Sequence, residues 1–273
     1  MKTWFITGTS RGFGRAWTQA ALERGDRVAA TARNLDSLND LVAQFGDRIL
    51  PLQLDVTDRA ADFTAVKTAH EHFGQLDVIV NNAGYGLFGT IEEVSETEAR
   101  QQIETNLFGA LWVTQAALPY LRAQGSGHIL MVSSIGGLVA FPLLGLYHAS
   151  KWGLEGFSDA LSQEVTAFGI KVTLIEPSGF STDWSGSSAV RAELMPAYDS
   201  LRNANAWSTR NTNVKWGDPT ASSTAILKLV DAENPPLRLL LGEAATQIVP
   251  QNYERRLKVW TEWEDVARAA NGD

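Results

Sequence analysis

The sequence predicts an α/β fold: a single-domain, doubly wound parallel sheet of about seven strands with helices on both faces. Two observations carry that expectation. Short, continuous apolar runs alternate with amphipathic segments of helical length from the first residues onward. Strands buried on both faces read this way, and right-handed crossovers between them give a doubly wound sheet. In addition, a glycine-rich turn follows the first apolar run and opens the first helical segment, where such folds bind ligands.

The elements follow in order. Trp4-Phe5-Ile6 is a first strand, stopped by Gly8. Ala16, Ala20, Ala21 and Leu22 continue as a helix that Gly25 caps. Val28-Ala29-Ala30 starts a second strand, and Leu38, Leu41, Val42 and Phe45 mark one face of a helix. Ile49 to Leu54 reads as a third strand. A helix through Phe63, Val66 and Phe73 then leads to the fourth, Val78-Ile79-Val80. A long helix is expected from about Thr97 to Leu121, a fifth strand at Ile129–Val132, and a helix from about Leu146 to Phe168. Val172–Ile175 is the sixth strand and Leu237 to Leu241 the seventh. From about Ser181 to Asp218 the rhythm breaks into Ser, Asn and Thr with Trp184, Trp207 and Trp216 interspersed. Residues 1–273 show no linker, repeat or low-complexity tract, so one domain is expected, with 181–218 as a mobile lid.

Composition narrows the function classes. The chain has 273 residues, 44% of them apolar and 20% charged, with a net charge of −8. No basic stripe suggests nucleic acid. With no cysteine, disulfides, thiolate nucleophiles and cysteine-ligated zinc are excluded. His70 and His72 lie two apart in a helical segment and do not share a face, so no metal site is expected. No apolar stretch reaches the ~18 residues of a membrane span. The short opening run does not resemble a signal-peptide core, and a cytoplasmic location is the expectation.

The chemistry-bearing segments come next. Thr7-Gly8-Thr9-Ser10-Arg11-Gly12-Phe13-Gly14 joins the first strand to the first helix. Gly8 suits a tight turn, Gly12 a close backbone approach to a pyrophosphate, and Gly14 close helix–strand packing. The helix N-terminus behind the loop offers free N–H groups to phosphate. A glycine-rich turn without a ligand is the competing reading of that loop taken alone.

The loop spacing, T-G-x-x-x-G-x-G, resembles that of the short-chain dehydrogenase/reductase family. Asn81-Asn82-Ala83-Gly84, Tyr147-His148-Ala149-Ser150-Lys151 and Pro177-Ser178-Gly179 with Thr182 match further family motifs in family order. The resemblance runs from Lys2 to about Thr182. It implies an NADP-preferring ketoreductase, similar to hydroxysteroid dehydrogenases, that interconverts a ketone or aldehyde and an alcohol. Its cofactor contacts would be Gly8, Ser10, Arg11, Gly12, Phe13, Gly14, Arg33, Asp55, Val56, Asn82, Ala83, Gly84, Tyr147, Lys151, Pro177, Gly179 and Thr182. Ser178 stands where the family usually has glycine, which puts the contacts at that turn in doubt.

NADP(H) is favoured over NAD because the second strand ends Ala32-Arg33. Ala32 occupies the place where an acidic residue would bond the ribose 2′-OH, and guanidinium groups at Arg33 and Arg11 suit a 2′-phosphate. The competing readings are two solvated surface arginines and an Asp55 that serves as a loop or helix cap.

Reducing a ketone takes hydride at carbon, from the cofactor, and a proton at oxygen. Tyr147 and Lys151 are four apart in a helical segment, hence on one face. Tyr147 is the expected general acid, with Lys151 lowering its pKa and, by resemblance, holding the nicotinamide ribose. Ser134, at the end of the fifth strand, would orient the substrate oxygen, and Ser133 would point away. Asn106 matches the family's active-site asparagine and would bind a relay water between Lys151 and solvent. Tyr85, Phe88, Phe141, Leu144, Phe180 and Trp184, with Ser134, are the expected substrate contacts, so an apolar or aromatic substrate is favoured. A non-catalytic NADP(H)-sensing protein of the same fold is the alternative, which the presence of both Tyr147 and Lys151 disfavours. The resemblance also implies a homodimer or homotetramer. Trp260 and Trp263 are expected in the core or in a subunit contact.

Overall fold

The computed structural model describes residues 1–204 and 216–272. Its strands, in chain order, are β1 (Thr3–Ile6), β2 (Arg27–Ala32), β3 (Ile49–Gln53), β4 (Val78–Asn81), β5 (Leu87–Phe88), β6 (Gly127–Val132), β7 (Ile170–Pro177), β8 (Val190–Arg191) and β9 (Arg238–Leu241). The helices are α1 (Gly12–Arg24), α2 (Asn39–Phe45), α3 (Arg59–Phe73), α4 (Glu96–Ile103), α5 (Gly109–Gln124), α6 (Gly145–Glu164), α7 (Asp199–Ala204), α8 (Pro219–Asp231), α9 (Glu243–Glu262) and α10 (Glu264–Ala269).

Seven strands form one sheet in the order β3-β2-β1-β4-β6-β7-β9, with every pairing parallel. The continuous apolar runs split by alternation onto two faces. Phe5, Ala29, Ile79, Ile129 and Met131 join one core with residues of α3, α5 and α6. Trp4, Ile6, Val28, Ala30, Val80 and Leu130 join the other with residues of α1, α2 and α8. A period of two inside an uninterrupted apolar run is what a strand covered on both faces requires. Connections leave β1 and β4 in opposite directions, so a crevice opens at their C-terminal ends, the usual ligand position in such sheets.

Local signals set the ends. Gly25 closes α1 at φ 98°, donating its N–H to Ala21 and Leu22 carbonyls. Asp58 caps α3 by accepting from Ala60 and Ala61 N–H, and Ser95 with Glu98 forms a capping box on α4.

Several boundaries differ from expectation. The long helix is α4 and α5 joined through a π-helical turn, Glu104–Phe108, and it runs on to Gln124. α6 ends at Glu164, and a short 3₁₀ turn, Thr166–Phe168, follows. Trp260 and Trp263 are each 62% exposed on α9 and just beyond it, so of their two expected places, core or subunit contact, the core is excluded.

The segment expected to be a lid, 181–218, contains a strand that pairs with the body of the fold. Among the described residues, β8 pairs in parallel with β5, through Leu87↔Val190 and Phe88↔Arg191. Ala192 N–H donates to the Phe88 carbonyl at 2.8 Å. Pairing of two two-residue strands far apart in sequence leaves no periodic signal. Trp216 packs beside Gly179 and so ties the far end of the segment down; Trp207 lies outside the described residues.

Glu93 fastens this segment further. Its buried carboxylate accepts N–H bonds from Thr90 and Met195, both at 2.8 Å, and pairs with Arg202. The Met195 and Thr90 amides, with Arg202, hold Glu93 well below the usual carboxylate range, at about 2. A depressed folded pKa stabilises above the unfolded value and is lost as pH falls through the folded one. Glu93→Gln is therefore expected to speed limited proteolysis near Met195 at neutral pH. Wild type should gain the same susceptibility only as pH drops from about 4.5 towards 2. Equal cleavage rates in both proteins at neutral pH would show that Glu93 does not fasten the segment.

Candidate active site

The loop from Thr7 to Gly14 lies at the C-terminal end of β1 and opens α1. Gly8 and Gly12 adopt φ of 69° and 58°, left-handed values that favour glycine. A Cβ on Gly14 would fall on the Gly8 carbonyl oxygen and 2.5 Å from Asn82 Nδ2, so this close approach requires glycine. Asn82 fastens the loop by donating to the Thr7 and Gly8 carbonyls at 2.8 and 3.0 Å. Thr7 Oγ1 accepts from the Asn82 and Ala83 amides. No side chain caps α1, which leaves its first-turn amides available to an anion.

The candidate contacts around the loop divide. Val56 is buried against Gly109. Asp55 Oδ1 accepts from Thr57 N–H and Oγ1 at 3.0 and 2.8 Å, the loop-cap arrangement. Asn81 is structural, donating to Thr114 Oγ1 at 3.0 Å. Phe13 turns its ring to Trp17 and Phe180, with centroids 5.1 and 4.9 Å away, so only its backbone faces the loop. Arg33 is exposed just beyond buried Ala32. Arg11 reaches Asp183 at 2.6 Å. Asp183, folded back from beyond β7, thus sets a carboxylate against Arg11 that is far from it in sequence.

Ser134, Tyr147 and Lys151 come together beside this loop. Ser134 follows β6 and caps the turn Ile135–Gly137, accepting from Gly136 N–H at 3.0 Å. Its hydroxyl donates to the Pro177 carbonyl at 3.5 Å and lies close enough to Tyr147 to bear on the phenol's pKa. Lys151 Nζ lies 5.9 Å from the Tyr147 ring centroid and donates to the Val132 carbonyl at 2.7 Å. Tyr147 and Lys151 are 6% and 5% exposed. Burial pushes the phenol up to about 12, opposed by the Ser134 hydroxyl. Burial also draws Lys151 down to about 8, opposed by Glu155. Sequence reasoning expects Lys151 to lower the phenol; here burial is the largest influence on it, and Ser134 is what opposes burial.

Asn106 sits in the π turn, where the displaced helical register swings its side chain inward. Its Oδ1 accepts from Tyr85 N–H at 3.0 Å, and its Nδ2 donates to the Tyr85 carbonyl and Ser150 Oγ at 3.0 and 3.1 Å. A Cβ on Gly84 would come 3.1 Å from Asn106 Oδ1 and 3.7 Å from Lys151 Nζ. The missing side chain thus leaves a small gap between those two groups.

Around the phenol, Trp184 lies 5.0 Å from the Tyr147 ring and 5.1 Å from Phe88, centroid to centroid. Thr182 caps the short turn that carries Trp184. Leu144 is bridged to Gly89, next to Leu143 at φ 69°, a left-handed value uncommon for leucine. Phe180 is corrected: it is buried against Phe13, Gly217 and Gly242 in the core and is not a substrate wall. Sequence reading also misses His148. It bonds the Gly136 carbonyl through Nδ1 at 2.8 Å and accepts from Phe141 N–H through Nε2 at 2.9 Å, pinning both ends of the turn behind Ser134. Its place beside Tyr147 was the available signal.

The profile of the family described as "short chain dehydrogenase" matches residues 2–192. The chain belongs to the short-chain dehydrogenase family. It is 42% identical over 271 residues to Oxidoreductase BOA17 of Botryotinia fuckeliana, covering 98% of this chain and 99% of that one. The solved short-chain dehydrogenase of Streptomyces avermitilis superposes with a TM-score of 0.91 at 38% identity, covering 99% of this chain and 100% of that chain. An alcohol dehydrogenase of Thermococcus sibiricus, complexed with 5-hydroxy-NADP, matches with a TM-score of 0.74 at 27% identity, over 88% of this chain and 96% of that chain. This short-chain dehydrogenase is therefore an oxidoreductase-family protein with the family's sheet. Among its described residues, no helix is long and apolar enough to cross a membrane.

Proposed function

We propose that the chain interconverts a ketone or aldehyde and the corresponding alcohol with NADP(H), on an apolar or aromatic substrate. The convergence of Ser134, Tyr147 and Lys151 beside the glycine loop carries this reading. The residues present fit a dinucleotide: the first-turn amides of α1 carry no side-chain cap, and the missing side chain of Gly84 leaves a gap beside Lys151 Nζ. Gly8 to Gly14 would hold the pyrophosphate. Arg33 and, when released by Asp183, Arg11 would hold the 2′-phosphate, and Lys151 and Thr182 the nicotinamide end. When bound, the cofactor supplies or accepts the hydride.

The chain's own groups handle the proton. Tyr147 Oη donates to the carbonyl oxygen during reduction and takes the proton back during oxidation. Ser134 Oγ fixes that oxygen against the phenol. Lys151 stabilises charge left on the phenol, and a water in the Gly84 gap, held by the second Oδ1 lone pair of Asn106, would return the proton. Trp184, Phe88 and Leu144 exclude solvent and favour an apolar substrate face.

Screening ketones and secondary alcohols by nicotinamide absorbance tests the reaction. NADPH binding with no turnover across apolar, aromatic and polar panels would favour the sensing alternative. For cofactor choice, Arg33→Ala is expected to weaken NADPH binding about tenfold, as loss of a charged phosphate contact does, with little change for NADH. Equal affinities for the two cofactors in both proteins would overturn the 2′-phosphate assignment.

A further inference from the structure

Directly behind the Ser134 turn lies a buried acidic pair that the proposed reaction does not use. Glu155 on α6 and Glu176 on β7 are 6% and 0% exposed. Four buried oxygens there lack hydrogen-bond partners: Ser133 Oγ, Glu155 Oε1, and both carboxylate oxygens of Glu176. Arg238, from β9, places Nε 3.0 Å from Glu155 Oε2 and 3.6 Å from Glu176 Oε1. Its Nη2 is engaged by Asp159 at 2.9 Å. The charged groups facing the pair are thus Arg238 and, along α6, Lys151 and Asp159.

Two buried carboxylates facing one shared guanidinium strongly disfavour double ionisation. The proton belongs on Glu176, which has no donor to either oxygen, rather than on Glu155, which accepts from Arg238. Burial and the neighbouring Glu155 both push Glu176 up, as this placement requires.

The pair abuts the active site. A Cβ on Gly137 would lie 2.7 Å from Ser133 Oγ and 2.9 Å from Glu155 Cγ, so the Ser134 turn rests on Glu155. Glu155 also follows Lys151 by one helical turn, on the same face. We infer that Glu155 and Glu176 share a single proton, and that the negative charge left on Glu155 holds Lys151 in its ammonium form. Glu155 is then a positioning residue for the lysine. Its importance for turnover rests on the function proposed above; the charge coupling itself does not.

Both tests use the protein without turnover. In ¹³C NMR of ε-labelled lysine, the Lys151 signal, assigned by its loss in Lys151→Arg, is expected to titrate at about 8. Glu155→Gln should lower that midpoint by about one pH unit, the size of a nearby charge effect. Glu176→Gln should not lower it, because Glu155 stays ionised. An unchanged midpoint in Glu155→Gln overturns the coupling, whatever the chain's reaction proves to be. The second test is thermal melting against pH. The fold retains a proton that the unfolded chain releases, so stability falls as pH rises. Glu176→Gln should flatten part of that fall between about pH 4.5 and 8; a slope equal to wild type overturns the shared proton.

Discussion

Tyr147→Phe is expected to lower kcat by about a thousandfold, the typical scale of a general acid, while NADPH affinity stays within about twofold. The substitution removes one oxygen and keeps the ring. The ring packs 5.0 Å from Trp184 and is 6% exposed, so its packing persists without a cavity. Ser134 Oγ keeps the Gly136 N–H and the Pro177 carbonyl as partners. NADPH titration by fluorescence and turnover by nicotinamide absorbance separate the two roles. Reduction at a near-normal rate by the variant would refute the assigned acid. The direction of the phenol's pKa adds a second expectation. Held up at about 12, it stays protonated through neutral pH, ready to donate. Oxidation needs the phenolate and should accelerate steadily with rising pH.

The second large effect concerns stability. Asp62 lies fully buried in the first turn of α3, with neither carboxylate oxygen hydrogen-bonded. Burial, with Asp58 and Asp55 adding, pushes it up to about 8. Here the folded pKa lies above the unfolded one, so the fold keeps a proton that the unfolded chain gives up. Stability therefore declines as pH rises from about 4 and levels off above about 8. Asp62→Asn removes this titration. Its advantage over wild type should be small near pH 4 and grow by at most about 1.4 kcal/mol per pH unit towards pH 8. Urea denaturation at two pH values measures it. An Asn variant no more stable than wild type at pH 8 would show that the carboxylate has found a partner.

The sheet was legible because each strand is a continuous apolar run bounded by turn residues, as in Trp4-Phe5-Ile6 before Gly8. The glycine loop and the Tyr147/Lys151 spacing were legible for a related reason: both are local, set by one turn and one helix. What escaped detection was assembled over distance. The β5–β8 pairing joins residues a hundred positions apart through backbone alone. Asp183 meets Arg11 only after the chain has crossed the sheet. Phe180 looked like a pocket wall by its position after the sixth strand, but the missing side chains of Gly217 and Gly242 make room for it inside. The π turn at Asn106 has no periodic signature either; an asparagine within a helical run was its only trace.

The β5–β8 ribbon has a consequence for how this chain can diversify. Its two strands are joined by main-chain hydrogen bonds, which do not depend on side-chain identity. Phe88 and Arg191, stacked with the guanidinium 4.7 Å from the ring centroid, can therefore change without unfastening the strands that carry them. Libraries randomised at Phe88, Val190 and Arg191 should yield mostly folded proteins with altered ligand preference. The glycine loop, in which Gly14 has no room for even one added carbon, should tolerate almost nothing. Variation in this scaffold is thus channelled towards what it binds and away from how it holds its nucleotide.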